Sequence, residues 1–164
     1  MSETETKLEK VILFTLGADT YGVPITQVLS IERIQSITRV PNADFFVEGV
    51  MNLRGFIIPV INIRKRFLMD ASEVTKESRI IIVVVDDLRV GLLVDSAKEV
   101  IDIDRAAVEK TPELVGGVQA DYISGVCGLD ADHLLILLDL HHVLSGKDID
   151  QVRGLGETEN VRTE

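Results

Sequence analysis

Apolar residues along the chain fall into short runs that are separated by Gly, Pro, Asn or Asp. The first run, 11–17, ends at a Gly, and a second, 21–25, resumes after three turn-forming residues. Two apolar runs joined by such a turn predict a β-hairpin over 11–25. The next segment, 25–34, has only partial helical spacing, so a short helix and a bulged strand both stay open.

The segment 46–67 contains two apolar runs that meet at Arg54-Gly55, and this predicts a second hairpin. Pro59 has no N–H for a ladder hydrogen bond, so we expect it at a sheet edge or a bulge. Polar residues at both ends of this segment can begin short helical turns. The candidate caps are Asn42 or Asp44 before the hairpin and Asn62 after it.

The second half of the chain repeats this alternation of runs and turns. The nearly pure β-branched run 79–85 predicts a strand, and Asp86-Asp87 turns the chain into a long second strand over 88–103. A last hairpin is predicted over 122–138, after which Asp139 caps a closing helix.

This pattern amounts to about eight to ten short strands and two or three short helices, which favours small closed barrels over a parallel sheet with helical crossovers. No internal repeat is convincing in the sequence. The ends of the chain are polar, and we expect a disordered N-terminal tail over 1–9 and a mobile C-terminal tail over 147–164. The domain itself is expected over 10–146.

Composition agrees with a globular β protein. Hydrophobic residues make up 46% of the chain and aromatic residues only 4%, so the core must consist mainly of Ile, Val and Leu. The net charge of −10 argues against general nucleic-acid binding, which needs a basic surface. The single cysteine, Cys127, lies in an apolar run and is expected to be a buried, inert thiol. Because no apolar run reaches the roughly 20 residues of a membrane span, we expect a cytoplasmic protein with no direct membrane insertion.

Candidate catalytic or metal-binding residues are few. Asp139 and His142 have i, i+3 spacing, but a helix cap explains the Asp, and His133 and His141 add no convergent ligand set. No nucleophile elbow or phosphate-binding loop is present. The sequence therefore predicts no catalytic residue, no metal and no cofactor.

One cationic stretch remains to be explained. Residues 49–67 contain four Arg or Lys and no acid, although the whole chain is acidic. Solvated faces of a hairpin, a nucleic-acid site and a protein docking surface are all open readings. Arg54 stands beside Gly55 and close to Val50, Leu53 and Ile57, which is typical of a protein interface.

At this point the residues carry a family resemblance. The stretch FVEGVMNLRGFIIPVINIRKRF (46–67) resembles the signature of the CheW family of chemotaxis coupling proteins. Three further blocks are similar to the family in the same order: ILFTLGADTYGVPITQVLSIER (12–33), RIIIVVVDDLRVGLLVDSAKEVIDI (79–103) and YISGVCGLDADHLLILLDLHHVL (122–144). Together they cover about residues 10–146.

The resemblance implies a mainly β fold of two intertwined five-stranded SH3-like β-barrels with a few short helices and a hydrophobic seam between them. It also implies a non-catalytic adaptor at membrane-associated chemoreceptor arrays. Its partners would be the cytoplasmic tip of methyl-accepting chemoreceptors and the regulatory domain of the histidine kinase CheA. In this family the kinase contact joins one barrel end to another, and its residues cannot be assigned here from the sequence.

Receptor contact residues carry over from the matching motifs. They would line the groove between the barrels and the Asn-Leu-Arg-Gly turn, and they are Val28, Ile31, Glu32, Gly49, Val50, Asn52, Leu53, Arg54 and Gly55.

The chain departs from the family at Ser30, where some members have a Glu that can pair with the arginine of this motif. If residues 27–32 are extended, Ser30 and Glu32 share one face, and Glu32 could pair with Arg54 instead. Two alternatives for the function stay open, namely an adaptor of a related motility or biofilm pathway and a small-ligand-binding double barrel.

Overall fold

Ten strands form two closed sheets in the computed structural model of this protein, which describes residues 8–70, 72–109 and 120–144. The first barrel contains β1 (Leu8–Leu16), β2 (Asp19–Pro24), β8 (Ser96–Asp104), β9 (Ile123–Asp130) and β10 (His133–Leu138). The second contains β3 (Val28–Arg33), β4 (Val47–Leu53), β5 (Phe56–Asn62), β6 (Arg79–Val85) and β7 (Leu88–Val94). Two short helices, α1 (Ile63–Arg66) and α2 (Leu140–Val143), each follow the last strand of a hairpin. The predicted mainly β fold of two five-stranded barrels is confirmed.

Each barrel is closed by a bridge between one outer strand and the segment that follows the other outer strand. The strand orders are β8-β1-β2-β10-β9 and β3-β6-β7-β5-β4. The chain after β3 returns to pair Thr38 with Val50 of β4, and the chain after β8 pairs Glu109 with Val126 of β9. These bridges satisfy backbone groups that would otherwise form exposed sheet edges.

Three hydrophobic clusters explain why several apolar runs are continuous rather than alternating. One cluster, which includes Leu13 and Leu135, fills the first barrel, and one that includes Ile58 and Ile82 fills the second. The largest lies between the barrels and takes residues from both, such as Phe14. Strands such as β1 and β6 therefore bury both faces. We call the largest cluster the inter-barrel core.

The topology contains an internal repeat that was not convincing in the sequence. The order β1 to β5 followed by α1 recurs as β6 to β10 followed by α2, and each repeat gives strands to both barrels. The parallel pairing of Gly22 with Leu137 corresponds to that of Gly91 with Val60. The equivalent stretches FVEGVMNLRG (46–55) and YISGVCGLDA (122–131) keep few identical residues, which explains why the repeat was missed.

The helix caps follow the same repeat. The Asn62 side chain accepts a hydrogen bond from the Lys65 N–H, and the Asp139 side chain accepts one from the His142 N–H. Both caps were predicted from the sequence and are confirmed. Each satisfies an N–H that the helix itself leaves without a partner.

Several sequence-based predictions about elements need correction. The long strand over 88–103 is two strands, because the chain leaves the second barrel and enters the first at Asp95. The segment with Asn42 and Asp44 forms turns without a helix. Between 25 and 34, one turn of 3-10 helix precedes strand β3, which has an irregularity after Val28.

Pro59 lies in an inner strand rather than at an edge. Its partner Val50 directs both its N–H and its carbonyl to Thr38, so Val50 and Pro59 form a non-hydrogen-bonded pair. The Pro59 nitrogen therefore faces β7, and the ladder with β7 begins only at Val60. The missing N–H costs no ladder bond at this position.

Little of the predicted tails lies in the described part of the chain. Residues 1–7 and 147–164 are outside it. Leu8 and Glu9, which the sequence assigned to the tail, belong to β1, where they pair with Asp104 and Ile103. The boundary at 146 also lies outside the described residues.

Candidate docking surfaces

The Asn-Leu-Arg-Gly motif forms the tight turn between β4 and β5. Arg54 and Gly55 both have positive φ, 52° and 90°, which is the conformation of a two-residue hairpin turn whose twist matches the strands. The Asn52 side chain accepts a hydrogen bond of 3.0 Å from the Gly55 N–H and closes the turn. The Arg54 side chain is 71% exposed. The turn thus presents an arginine to solvent at one end of the second barrel.

Glu32 contacts this arginine. An Arg54 guanidinium nitrogen lies 3.5 Å from a Glu32 carboxylate oxygen, as expected for an extended β3. Ser30 and Glu32 pair with Ile82 and Ile80 of β6 and share the face that points into the second barrel. The long distance and the exposed arginine make this a weak ion pair that orients the side chain more than it stabilises the fold.

The open end of the second barrel forms an apolar cavity of about 190 Å³. Two large exposed side chains stand at it, since Leu29 is 56% and Phe56 48% exposed. The Arg89 guanidinium lies 4.1 Å from the centre of the Phe56 ring, so the apolar surface has a cationic margin. We call this surface the barrel end. Its lining residues are Leu29, Ser30, Leu53, Arg54, Phe56, Ile58, Ile82 and Arg89.

A second exposed apolar surface lies along the seam between the barrels. Ile31 pairs with Ile81, and Val100 pairs with Ile12, and both of these partners belong to the inter-barrel core. Because paired residues share a face of the sheet, Ile31 and Val100 lie on the seam side of β3 and β8. They are 41% and 46% exposed and occupy equivalent positions of the two repeats. We call Ile31, Val100 and the half-buried Val28, which packs on the inter-barrel core, the seam rim.

The nine predicted receptor residues therefore do not form one surface. Val28 and Ile31 belong to the seam rim, whereas Leu53 and Arg54 of the hairpin turn line the barrel end and Glu32 contacts Arg54. Leu53 packs against the cluster inside the second barrel and Val50 lies on the opposite face of β4. Val100, Leu29, Phe56 and Arg89 also stand on these two surfaces and are not among the residues assigned from the sequence.

Gly49 and Val50 are buried, and both are needed for the backbone bridge to Thr38. Gly49 has a φ of +145°, and a Cβ at this position would stand 2.1 Å from the Thr38 carbonyl oxygen. Val50 forms both hydrogen bonds of the bridge to Thr38 and is 7% exposed. The backbone approach at this bridge requires a glycine before Val50.

The cationic stretch is dispersed in three dimensions. Arg64 forms a two-point ion pair with Asp95, and Lys65 lies 3.2 Å from Glu48. The Arg66 guanidinium lies over two aromatic rings. Of the four cations in this stretch, only Arg54 stands on the barrel end, so the four do not form a continuous basic surface for phosphates.

The histidines stand at the surface, each beside one aspartate. The nitrogen-to-oxygen distance is 2.7 Å for both His133–Asp130 and His142–Asp139, and 3.3 Å for His141–Asp86. The hydrogen bond from His133 lowers the pKa of the exposed Asp130 carboxyl. Within the described ranges, no three His, Cys, Asp or Glu side chains are grouped as metal ligands. Cys127 is buried as predicted, and burial raises the pKa of its thiol.

The sequence of this chain is similar to those of known proteins along most of its length. A family model described as a CheW-like domain matches residues 10–148. The chain belongs to the CheW family. The chemotaxis protein CheW of Bacillus subtilis is 44% identical over 113 residues, which cover 69% of this chain and 70% of that protein. The CheW of Treponema pallidum is 34% identical over 152 residues, covering 89% of this chain and 88% of the relative.

A solved structure has the same fold. The crystal structure of the scaffolding protein TtCheW from Thermoanaerobacter tengcongensis matches with a TM-score of 0.79 and 34% identity, over 88% of this chain and 93% of that one. The CheW-family chain is thus a chemotaxis coupling adaptor, as the resemblance implied. Neither helix in the part of the CheW-family chain that the structure describes has the length or apolar character to cross a bilayer.

Proposed function

We propose that this adaptor joins the cytoplasmic tip of methyl-accepting chemoreceptors to the regulatory domain of the histidine kinase CheA, in the cytoplasm at membrane-associated receptor arrays. The observation that carries the proposal is the presence of two separate exposed apolar surfaces, the seam rim and the barrel end, on one small domain. A coupling protein needs two such surfaces because it must hold both partners at once.

The seam rim is the proposed receptor contact. Val28 and Ile31 come from one barrel and Val100 from the other, so a helix lying along the seam would meet aliphatic side chains on both sides. Receptor tips are helical hairpins, and an amphipathic helix binds by laying its apolar stripe in such a groove. Val100 thus joins the two residues that the sequence assigned.

The barrel end is the proposed kinase contact. The family resemblance implies that the kinase domain binds barrel end to barrel end, and this end of the second barrel exposes Leu29 and Phe56 beside two arginines. Buried apolar anchors with arginines at the margin are typical of protein interfaces. The proposal moves Asn52, Leu53, Arg54 and Gly55 from the receptor contact to the kinase contact, with Glu32 orienting Arg54.

Catalysis has no part in the proposed function. In the described ranges the His–Asp pairs stand at the surface, and the cavity at the barrel end is apolar. A receptor tip and a kinase domain are macromolecular ligands, and bringing them together requires binding surfaces rather than reactive groups.

Two binding measurements test the proposal. The full chain would be titrated with a receptor signalling-tip fragment and, separately, with the regulatory domain of CheA. Ile31→Asp and Val100→Asp should each weaken receptor binding roughly tenfold or more, with kinase binding kept, because each places a charge in an apolar contact.

The reciprocal variant is Phe56→Asp at the barrel end, which should weaken kinase binding and keep receptor binding. All three positions are partly exposed, so thermal melts should show folded proteins. If the unaltered chain binds neither partner, or if every variant weakens both equally, the two-surface proposal is wrong.

A further inference from the structure

Arg66 occupies the place where the two repeats meet. Its guanidinium lies 5.1 Å from the centre of the Phe46 ring and 4.8 Å from the centre of the Tyr122 ring. Its Nε donates a hydrogen bond of 2.9 Å to the Val143 carbonyl. Phe46 precedes β4 of the second barrel, and Tyr122 precedes β9 of the first.

These partners are equivalent positions of the internal repeat. The Asn62 N–H donates to the Phe46 carbonyl at 2.8 Å, and the Asp139 N–H donates to the Tyr122 carbonyl at the same distance. Because Asn62 and Asp139 cap α1 and α2, Arg66 near the end of α1 corresponds to Val143 near the end of α2. The Arg66 guanidinium therefore lies over two equivalent rings, and its Nε donates to the carbonyl of Val143, the residue that corresponds to Arg66 in the other repeat. Arg66 thus lies at the centre of the pseudo-twofold arrangement.

An aromatic row runs from this point through the inter-barrel core. Tyr122 stacks on Phe67 with ring centres 5.2 Å apart, and Phe67 lies 6.2 Å from Tyr21. Tyr21 stacks on Phe14 at 5.6 Å, and Phe14 pairs with Ala97 of β8. This strand also carries Val100 of the seam rim. The contacts form a continuous packed path between Arg66 and one side of the proposed receptor groove.

We propose that Arg66 is a positioning residue that sets the relative placement of the two barrels and thereby the spacing across the seam rim. The inference rests on the proposed function, because it assigns the receptor to a groove built from both barrels. The barrel end consists of residues of the second barrel alone. Loss of Arg66 should therefore impair the receptor contact and spare the kinase contact, a selectivity that a purely structural role would not produce.

The test compares Arg66→Met, which keeps the length of the side chain, with Arg66→Lys, which keeps the charge but loses the planar group that stacks on both rings. The matched control is Arg105→Met, because Arg105 is exposed and its 3.9 Å ion pair with Glu9 stays within the first barrel. Each variant would be made in the full chain and titrated with a receptor signalling-tip fragment and with the CheA regulatory domain.

A distance measurement reports the barrel placement directly. Spin labels at Arg33 on β3 and Glu99 on β8, in a Cys127→Ala background, give a distribution of distances between the barrels without any ligand. We expect a single narrow distribution in the unaltered chain and in Arg105→Met, a broad or shifted one in Arg66→Met, and an intermediate one in Arg66→Lys.

Receptor affinity should fall roughly tenfold in Arg66→Met, since the energy of a desolvated cation–π contact corresponds to about a tenfold change. Kinase affinity should change by less than about twofold, because the barrel end contains no residue of the first barrel. An unchanged distance distribution, unchanged receptor affinity or an equal loss of both affinities would each overturn the inference. If the unaltered chain does not bind the receptor fragment, the proposed function fails, whereas the distance distribution still decides whether Arg66 positions the barrels.

Discussion

Arg64 and Asp95 form a two-point ion pair that joins α1 to the point where the chain passes from one barrel to the other. The Arg64 Nε lies 2.8 Å from one Asp95 carboxylate oxygen and a terminal nitrogen lies 2.6 Å from the other. Asp95 also accepts a hydrogen bond of 2.7 Å from the Gly17 N–H in the β1–β2 turn of the first barrel. The carboxylate thus connects residues of both barrels, and the Arg64 hydrogen bond holds its pKa below the usual range.

The first prediction concerns the pH dependence of stability. Because the pKa of Asp95 is lowered in the folded state, the folded chain binds fewer protons there than the unfolded chain. Its contribution is complete above the unfolded pKa and is lost as the pH falls through the folded pKa. Asp95→Asn should therefore cost about 2 kcal/mol of unfolding free energy at pH 7. Urea unfolding of Asp95→Asn and of the unaltered chain, at pH 7 and at pH 3, measures this free-energy cost and its dependence on pH.

The loss caused by Asp95→Asn should shrink at pH 3, because the carboxyl of the unfolded chain takes up a proton there more readily than the folded one, whereas the amide does not titrate. Asp102→Asn is the matched control, since its ion pair with Lys10 is at the surface. A constant difference between the variant and the unaltered chain at both pH values would contradict this account.

The second prediction concerns the bridge that closes the second barrel. Gly49→Ala should cost at least about 2 kcal/mol, because φ is +145° and the new Cβ would meet the Thr38 carbonyl oxygen. Gly128→Ala is the control, since no atom lies within 4 Å of a Cβ there. Denaturant midpoints of the two variants give the comparison. Equal stability of both would mean that the bridge shifts without cost.

The third prediction concerns a buried hydroxyl. Tyr21 is fully buried, and within the described part of the chain its hydroxyl has no hydrogen-bond partner. Burial raises the pKa of this phenol to about 12. Tyr21→Phe should leave stability unchanged or raise it by up to about 1 kcal/mol, because it removes a desolvated polar group and keeps the ring stack with Phe14.

Thermal unfolding of Tyr21→Phe provides the measurement. The half-buried Tyr122, whose ring stacks on Phe67, gives a matched Tyr→Phe change elsewhere in the aromatic row. A clear destabilisation of Tyr21→Phe, by more than about 1 kcal/mol, would show that the hydroxyl has a bonding partner.

Local features of this fold could be predicted from the sequence and long-range ones could not. The hairpin turns at Arg54-Gly55 and Asp86-Asp87 were predictable because a two-residue turn needs positive φ at both positions, and Gly and Asp adopt positive φ readily. The helix caps were predictable for the same reason. The assignment of strands to barrels was not, because β1 and β6 bury both faces and their continuous apolar runs contain no alternation.

The candidate surfaces divide in the same way. The exposed Arg54 follows from its turn, and the extended β3 that brings Glu32 near it was one of two open alternatives. Val100 stands between Glu99 and Ile101 and looks like any other strand residue in the sequence, so only its equivalence to Ile31 across the repeat places it on the seam rim. The repeat that makes these two positions equivalent can be seen in the stretches 46–55 and 122–131, but they share too few identical residues for it to be recognised from the sequence.

The last prediction decides which partner the hairpin turn binds. Arg54→Glu should keep the fold, because the side chain is 71% exposed and its pairing with Glu32 is weak. We expect kinase-domain binding to weaken roughly tenfold, because charge reversal at an interface margin adds repulsion and removes a donor. Receptor binding should stay within about twofold, since Arg54 contacts Glu32, whose side chain lies on the face of β3 opposite to Ile31 of the seam rim.

Glu32→Gln separates the two roles of the pair. It keeps the shape of the side chain and removes the charge that orients Arg54, so kinase binding should fall less than in Arg54→Glu. A double-mutant cycle between the two positions gives their coupling energy directly. If Arg54→Glu weakens receptor binding instead, the hairpin turn belongs to the receptor contact, as the family resemblance first implied. If it unfolds the protein, Arg54 is a structural residue.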